Sequence, residues 1–231
     1  MVKPFFKKIW SYIQDVHLES VESEYNEELH VVLSKGRYQL CTPNAIYSYE
    51  DKYTNFLESF RAIRLDDLKI QNVLILGFGL GSIPYILEKK FNKKYSYTGI
   101  EIDDAILYLA SKYGIDDLSS DIEMIQADAW NYVMLCDTQY DMICVDIFLD
   151  VHIPIPFLSQ DFLLSLKEIL SDQGIILFNH LALHSHEISA AQTYFEDVFS
   201  EVFKNGVALN VKGNIMMVSD KSILKGDVNK Y

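Results

Sequence analysis

Three glycines within five residues, Gly77-Phe78-Gly79-Leu80-Gly81, follow the apolar run Val73-Leu74-Ile75-Leu76 and precede a helical pattern starting near Ser82. Glycine lets a backbone approach a ligand closely, and a helix start offers unpaired N–H groups. About twenty residues on, Glu101 ends a second run, Tyr97-Thr98-Gly99-Ile100, where a carboxylate can accept from ribose hydroxyls. Asp128, in Gln126-Ala127-Asp128-Ala129-Trp130, closes a third run and can accept from an exocyclic amine of adenine. Asp146 closes a fourth, Tyr140-Asp141-Met142-Ile143-Cys144-Val145, and faces the reacting end of whatever is bound. Each acid on its own can instead cap the helix that follows it. Their repetition at strand ends favours a ligand, except for Asp141, which stands at a strand start and reads as structural. Gly77, Gly79, Gly81, Glu101, Ile102, Asp128, Ala129 and Asp146 form the expected nucleoside site.

These residues need a frame that brings four strand ends together. Strands are expected at Val73–Leu76, Tyr95–Glu101, Ile122–Gln126, Met142–Ile147 and Ile175–Asn179. Helices are expected between and after them: Ser82–Lys90, Asp103–Lys112, Ala129–Leu135, Gln160–Leu170 and Glu187–Phe203. Val207–Val211, Gly213-Asn214 and Ile215–Val218 read as a closing hairpin. Such alternation makes a doubly wound α/β fold, a mostly parallel Rossmann-like sheet whose ligands bind at the C-terminal strand ends. Ahead of it, Phe5–Gln14 has helical spacing, and residues His17 to Tyr49 read as a small antiparallel sheet of three or four strands. A helix over Asp51–Arg64 leads into the main domain. The expected division is residues 1–66, a helix, small β-sheet and linking helix, and residues 67–231, the nucleoside-binding α/β domain.

Composition narrows the ligand. The chain has 231 residues, 49% hydrophobic and 23% charged, which is ordinary globular material. A formal net charge of −13 disfavours phosphate backbones, so no nucleic acid is expected, and a cationic or neutral small molecule fits better. No apolar run approaches the roughly twenty residues of a membrane span, and no signal peptide is evident. Three cysteines suggest reduced thiols and a cytoplasmic protein. His180, His184 and His186 follow the fifth strand, yet no cysteine or acid pair completes a ligand pattern, so no metal is expected.

The glycine spacing is G-x-G-x-G, with Ser82 where a dinucleotide fold wants its third glycine, which weakens a nicotinamide-dependent reading. The constellation is similar to class I S-adenosylmethionine-dependent transferases, and looks most like the spermidine synthase group. Ile75 stands where ordinary methyltransferases of the class carry an acid, as in polyamine synthases. The β-rich stretch ahead of the domain and the path from Asp146 through Pro154 and Pro156 to Phe162 also resemble that family, over roughly Glu19 to Phe203. The resemblance implies S-adenosylmethionine or its decarboxylated form as cofactor, a small-molecule substrate and a homodimer.

The departures bear on the reaction. The family holds the aminopropyl ammonium with an aspartate before the last glycine; Leu80 stands there. The family follows its fourth-strand aspartate with two small residues, a second aspartate and a proline; here Asp146 is followed by Ile147-Phe148-Leu149-Asp150. The family's Tyr-Gln pair aligns best with Asn55 and Phe56, and so is missing. Transfer from a sulfonium needs mainly alignment in a dry site, with a base where the nucleophile arrives protonated. Asp146 is the candidate base, or it holds the cofactor's amino-acid end or caps a loop. Asp150 is a candidate to hold a substrate amine. Tyr47, Tyr49 and Tyr53 lie where the small sheet meets the pocket. Leu80 makes methyl transfer to a small substrate that can carry an amine the first reading, family likeness makes aminopropyl transfer the alternative, and a non-catalytic adenosyl-binding module is the third.

Overall fold

The computed structural model describes residues 4–226. A four-stranded antiparallel sheet comes first: β1 (Val16–Val21), β2 (Leu29–Ser34), β3 (Arg37–Cys41) and β4 (Ile46–Ser48), in that spatial order. It is preceded by α1 (Pro4–Trp10) and followed by α2 (Thr54–Ala62). The expected first helix ends four residues early, where Ser11 docks on the turn before β3. The Ser11 hydroxyl accepts the Gly36 N–H at 2.9 Å and its carbonyl accepts the Lys35 N–H at 2.8 Å. Ile9, Trp10 and Ile13, the face expected to bury, stay exposed.

The main sheet has seven strands in the order β10-β11-β9-β8-β5-β6-β7. These are β5 (Asn72–Leu76), β6 (Ser96–Glu101), β7 (Asp121–Gln126), β8 (Tyr140–Val145), β9 (Leu170–Leu181), β10 (Val207–Asn210) and β11 (Asn214–Val218). β5 to β9 are parallel; β11 runs antiparallel to both β9 and β10. The helices α3 (Ser82–Phe91), α4 (Asp104–Leu109), α5 (Ala129–Leu135), α6 (Gln160–Glu168) and α7 (Ser185–Tyr194) cover its two faces. Side chains alternate across a strand, so each apolar strand feeds two cores. Val73 and Ile75 of β5, with Met142 and Cys144 of β8, pack toward α3, α4 and the small sheet. Leu74 and Leu76, with Ile143 and Val145, pack toward α5, α6 and α7. Leu29, Val31 and Leu40 of the small sheet share the first core with Phe56 and Phe60 of α2.

Two helices depart from the expected length. Past Ala110 and past Phe195 the chain makes a π turn, over Ala110–Gly114 and Phe195–Phe199. In the last helix, Ala191 and Tyr194 are buried at helical spacing, but the next buried position is Phe199, one residue late. The wider turn absorbs that extra residue and returns Phe199 and Val202 to the core.

The loop entering β7 hangs on one buried carboxylate of α3. Glu88 accepts from the N–H and hydroxyl groups of both Ser119 and Ser120, at 2.8–3.2 Å, while Lys89 reaches it at 2.8 Å. Burial alone would raise its pKa, but these donors win and hold the carboxyl down at about 2. Glu88→Ala leaves the serine N–H groups unpaired, and should cost about 1–3 kcal/mol, read as a lower midpoint in urea.

Candidate active site

The strand order reverses at β5, whose neighbours are β8 and β6, so a crevice opens at the C-terminal ends of β5 and β8. Gly77 and Asp146 meet there. The Asp146 N–H donates to the Leu76 carbonyl at 2.8 Å. Gly77 has φ of +85°, and a Cβ on it would run into the Asp146 carbonyl. No larger residue fits this turn. A cavity of about 1030 Å³ opens from the crevice. Ligand pockets commonly span roughly 300–1,000 Å³, so this one has room for a nucleoside and a second molecule.

The small sheet forms one wall of it, fastened by residues the sequence did not single out for that task. Ser82, in the third-glycine position, bonds the Ser48 hydroxyl at 2.6 Å and accepts the Tyr49 N–H at 2.9 Å. The Tyr47 hydroxyl donates to Asn26 and accepts the Asp150 N–H, both at 2.9 Å. Ser23 and Asn26 donate to Asp103 at 2.5 and 2.8 Å, and the same carboxylate caps α4 at Ala105.

Glu101 ends β6 against the glycine turn. Its carboxylate accepts the N–H of Gly79 at 3.2 Å, of Ile102 at 3.1 Å and of Asp103 at 3.4 Å. Burial pushes its pKa up to about 7, against the pull of those N–H groups and with a further push from the Asp103 charge. Asp128 lies at the start of α5 and caps it, accepting the Asn131 N–H at 2.9 Å. Its carboxylate and Ala129 still line the cavity, as do Gly77, Gly79, Glu101, Ile102, Asp146 and Asp150. Gly81 does not: it caps α3 with φ of +81°. Trp130 both lines the cavity and stacks on Phe162 at 5.6 Å.

Asp146 has protein on every side but the one open to the cavity. Its carboxylate accepts the Tyr53 hydroxyl at 2.8 Å and the Asn179 amide at 2.8 Å. Asn179 is held in turn by the Asn214 amide at 2.9 Å. Burial pushes the Asp146 carboxyl up to about 6, while the two donors pull it down. Tyr53 is raised as well: burial and the neighbouring carboxylate push its phenol up. The tyrosine that serves the fourth-strand aspartate is therefore Tyr53, two positions before the expected alignment at Asn55. Asn179 carried no signal in the sequence beyond its place at a strand end.

Asp150 has φ of +54° and its carboxylate is already engaged by Thr42 and Asn44, each at 3.3 Å. Leu80 is buried and turned away from the cavity. The histidines point elsewhere. His180 donates from Nδ1 to the Leu181 carbonyl at 2.8 Å, burial lowers its pKa, and His184 and His186 stack on each other at the exposed start of α7. Leu181 and Leu183 take their place in the cavity wall. Among the described residues no group of three His, Cys, Asp or Glu could hold a metal, and no helix is long and apolar enough to cross a membrane.

A seven-stranded doubly wound sheet, a glycine turn at its switch point and an appended antiparallel sheet define a Rossmann-like fold of the class I methyltransferase type. It superposes on a probable spermidine synthase from Corynebacterium glutamicum with a TM-score of 0.71 and 16% identity, covering 87% of this chain and 78% of that one. Human Methyltransferase-like protein 13, in complex with SAH, matches with a TM-score of 0.59 and 21% identity over 76% of this chain and 84% of that one. Residues 51–220 match the spermine/spermidine synthase domain, and the chain belongs to that family. A probable polyamine aminopropyl transferase of Bifidobacterium longum is 31% identical over 138 residues, 60% of this chain and 30% of that protein. A polyamine aminopropyltransferase of Vibrio vulnificus is 27% identical over 57% of this chain and 46% of that protein. The chain thus matches less than half the length of either relative.

Proposed function

We propose that this chain transfers an aminopropyl group from decarboxylated S-adenosylmethionine to an amine. The observation that carries the reading is the charge of the cavity wall. Five carboxylates line it, Glu101, Asp103, Asp128, Asp146 and Asp150, against one lysine, Lys52. Such a wall suits a donor that bears a sulfonium and an ammonium and has lost its carboxylate. The glycine turn fits a nucleoside, since Gly77 and Gly79 line the cavity in a positive-φ turn that brings main chain to its wall.

Glu101 would hold the ribose hydroxyls, Asp128 and Ala129 the adenine edge, and Asp146 the reacting end. The donor supplies a sulfonium whose C–S bond breaks as the acceptor nitrogen bonds the aminopropyl carbon, releasing methylthioadenosine. The acceptor amine must lose one proton on the way. Asp146 would take it, a role supported by its place in the cavity wall and by Tyr53 and Asn179, which hold its two oxygens. The dry wall around it strengthens its hold on a cation.

Methyl transfer from S-adenosylmethionine is the second reading, favoured by Leu80, which offers no acceptor for an aminopropyl ammonium. Calorimetric titration separates the two. Decarboxylated S-adenosylmethionine and methylthioadenosine should bind at micromolar levels, and tighter than S-adenosylmethionine by at least tenfold. The reverse order moves the assignment to methyl transfer. No adenosyl ligand binding below millimolar removes both.

A further inference from the structure

The two donors that hold Asp146 differ in kind. Tyr53 gives its hydroxyl to one oxygen and Asn179 its amide to the other, each at 2.8 Å. A phenol brings a single hydrogen, but a side-chain amide has a donating end and an accepting end. Turned over, Asn179 would set its carbonyl oxygen against the carboxylate and disfavour its charge. Asn179 is only 1% exposed, so bulk water does not choose between the two poses. Asn214 does: its amide donates to the Asn179 carbonyl oxygen at 2.9 Å. The N–H groups then run one way, from Asn214 to Asn179 to Asp146, and each bond polarises the next. The backbone sets the place of Asn214 without help from that side chain. The Ala182 N–H donates to the Gly213 carbonyl at 2.8 Å, and the Val211 N–H to the Asn214 carbonyl at 2.9 Å. Both asparagines line the cavity.

We propose that Asn214, at the start of β11, is a positioning residue for the transfer: by donating to Asn179 it keeps the N–H side of that amide turned on Asp146. The proposal rests on the transferase reading above, in which Asp146 takes the acceptor's proton. Without the Asn214 donor, the buried Asn179 oxygen loses its partner, and the turned-over amide accepts from a protonated Asp146 instead. The carboxylate form is then disfavoured. The ionisable groups that face Asp146 are Tyr53, which caps α2, and Cys144 on its own strand. The other charged groups of the cavity wall are Glu101, Asp103, Asp128, Asp150 and Lys52. On the strand and turn that carry the two asparagines, His180 bonds the Leu181 carbonyl and Lys212 pairs with Glu58. A neutral change at position 214 adds no charge to this set.

The test is Asn214→Leu, close in shape and without polar atoms, in the whole chain. The Asp146 carboxyl is titrated by carbon NMR in the ligand-free protein, its signal assigned by its loss in Asp146→Asn. The wild-type midpoint near 6 should rise by about one pH unit in Asn214→Leu. At about pH 6, kcat/KM should fall roughly fivefold, and the loss should shrink as the pH rises. Asn179→Leu should raise the midpoint at least as far, and adding Asn214→Leu to it should raise it no further. An unmoved midpoint in Asn214→Leu, a loss of kcat/KM equal at every pH, or a second full rise in the double variant overturns the proposal. A cooperative thermal melt reports that each variant is folded, and Asn214→Ala is read in place of a Leu variant that does not fold. The titration needs no turnover. A wild type that transfers nothing therefore counts against the transferase reading, while the midpoints still decide whether Asn214 acts on Asp146 through Asn179.

Discussion

Asp146→Asn should lower the rate of transfer by about 10²–10⁴-fold while changing methylthioadenosine affinity only a fewfold, because it removes the proton acceptor and keeps the shape. The wild-type protein should show the same dependence on pH. Its carboxyl titrates at about 6, so kcat/KM should fall as the pH drops through about 6, far above the 3.8 of an ordinary aspartate. Tyr53 sharpens the test. Its hydrogen bond favours the ionised carboxylate and lowers the Asp146 pKa, so Tyr53→Phe should move the acid limb to higher pH. A limb that stays below pH 5 in the wild type, or a fully active Asn variant, would remove Asp146 from the chemistry.

The parts of this site that the sequence displays are those fixed by backbone geometry. A buried strand running into Gly77-Phe78-Gly79 has few other structures available to it. The alternation of Val73 and Ile75 against Leu74 and Leu76 already requires helices on both faces. Residues that act across long chain separations were less visible. Tyr53 was legible as a pocket tyrosine, but its pairing with Asp146 spans 93 positions and depends on where α2 lands. The tie from Ser82 to β4 looked like a missing glycine, because spacing reports what a position lacks and not what its hydroxyl can reach. The partners of Asp150 were hidden for the same reason, because the fold brings Thr42 and Asn44 to it from more than a hundred residues away. The three histidines were adjacent in sequence to the right strand end, but β9 continues to Leu181, and the cavity receives Leu181 and Leu183.

Glu101 carries the other large effect, and its sign is opposite for stability and for binding. In the ligand-free protein its pKa is about 7 against an ordinary 4.5, chiefly through burial. The folded state therefore keeps a proton that the unfolded chain has already lost between those values. Stability from this source is complete below pH about 4.5 and is lost as the pH rises through about 7, on the order of 3 kcal/mol in full. Asp146, raised from 3.8 to about 6, works in the same direction. Glu101→Gln removes the cost of an ionised buried acid, so the variant should melt higher than the wild type at pH 8, with the difference closing near pH 5. The same change should weaken adenosyl-ligand binding by about 1–3 kcal/mol, since a carboxylate accepting two ribose hydroxyls becomes a neutral amide. Ribose hydroxyls favour the ionised form, so the wild type should release protons on binding at pH 7. Titrations in two buffers of different ionisation heat read that number directly, and the variant should release fewer. A Glu101→Gln protein that melts lower at pH 8 and binds as tightly as the wild type would make this acid a brace for the glycine turn alone. A more stable protein that binds less well would show that the strand end holds its charge in reserve for the ligand.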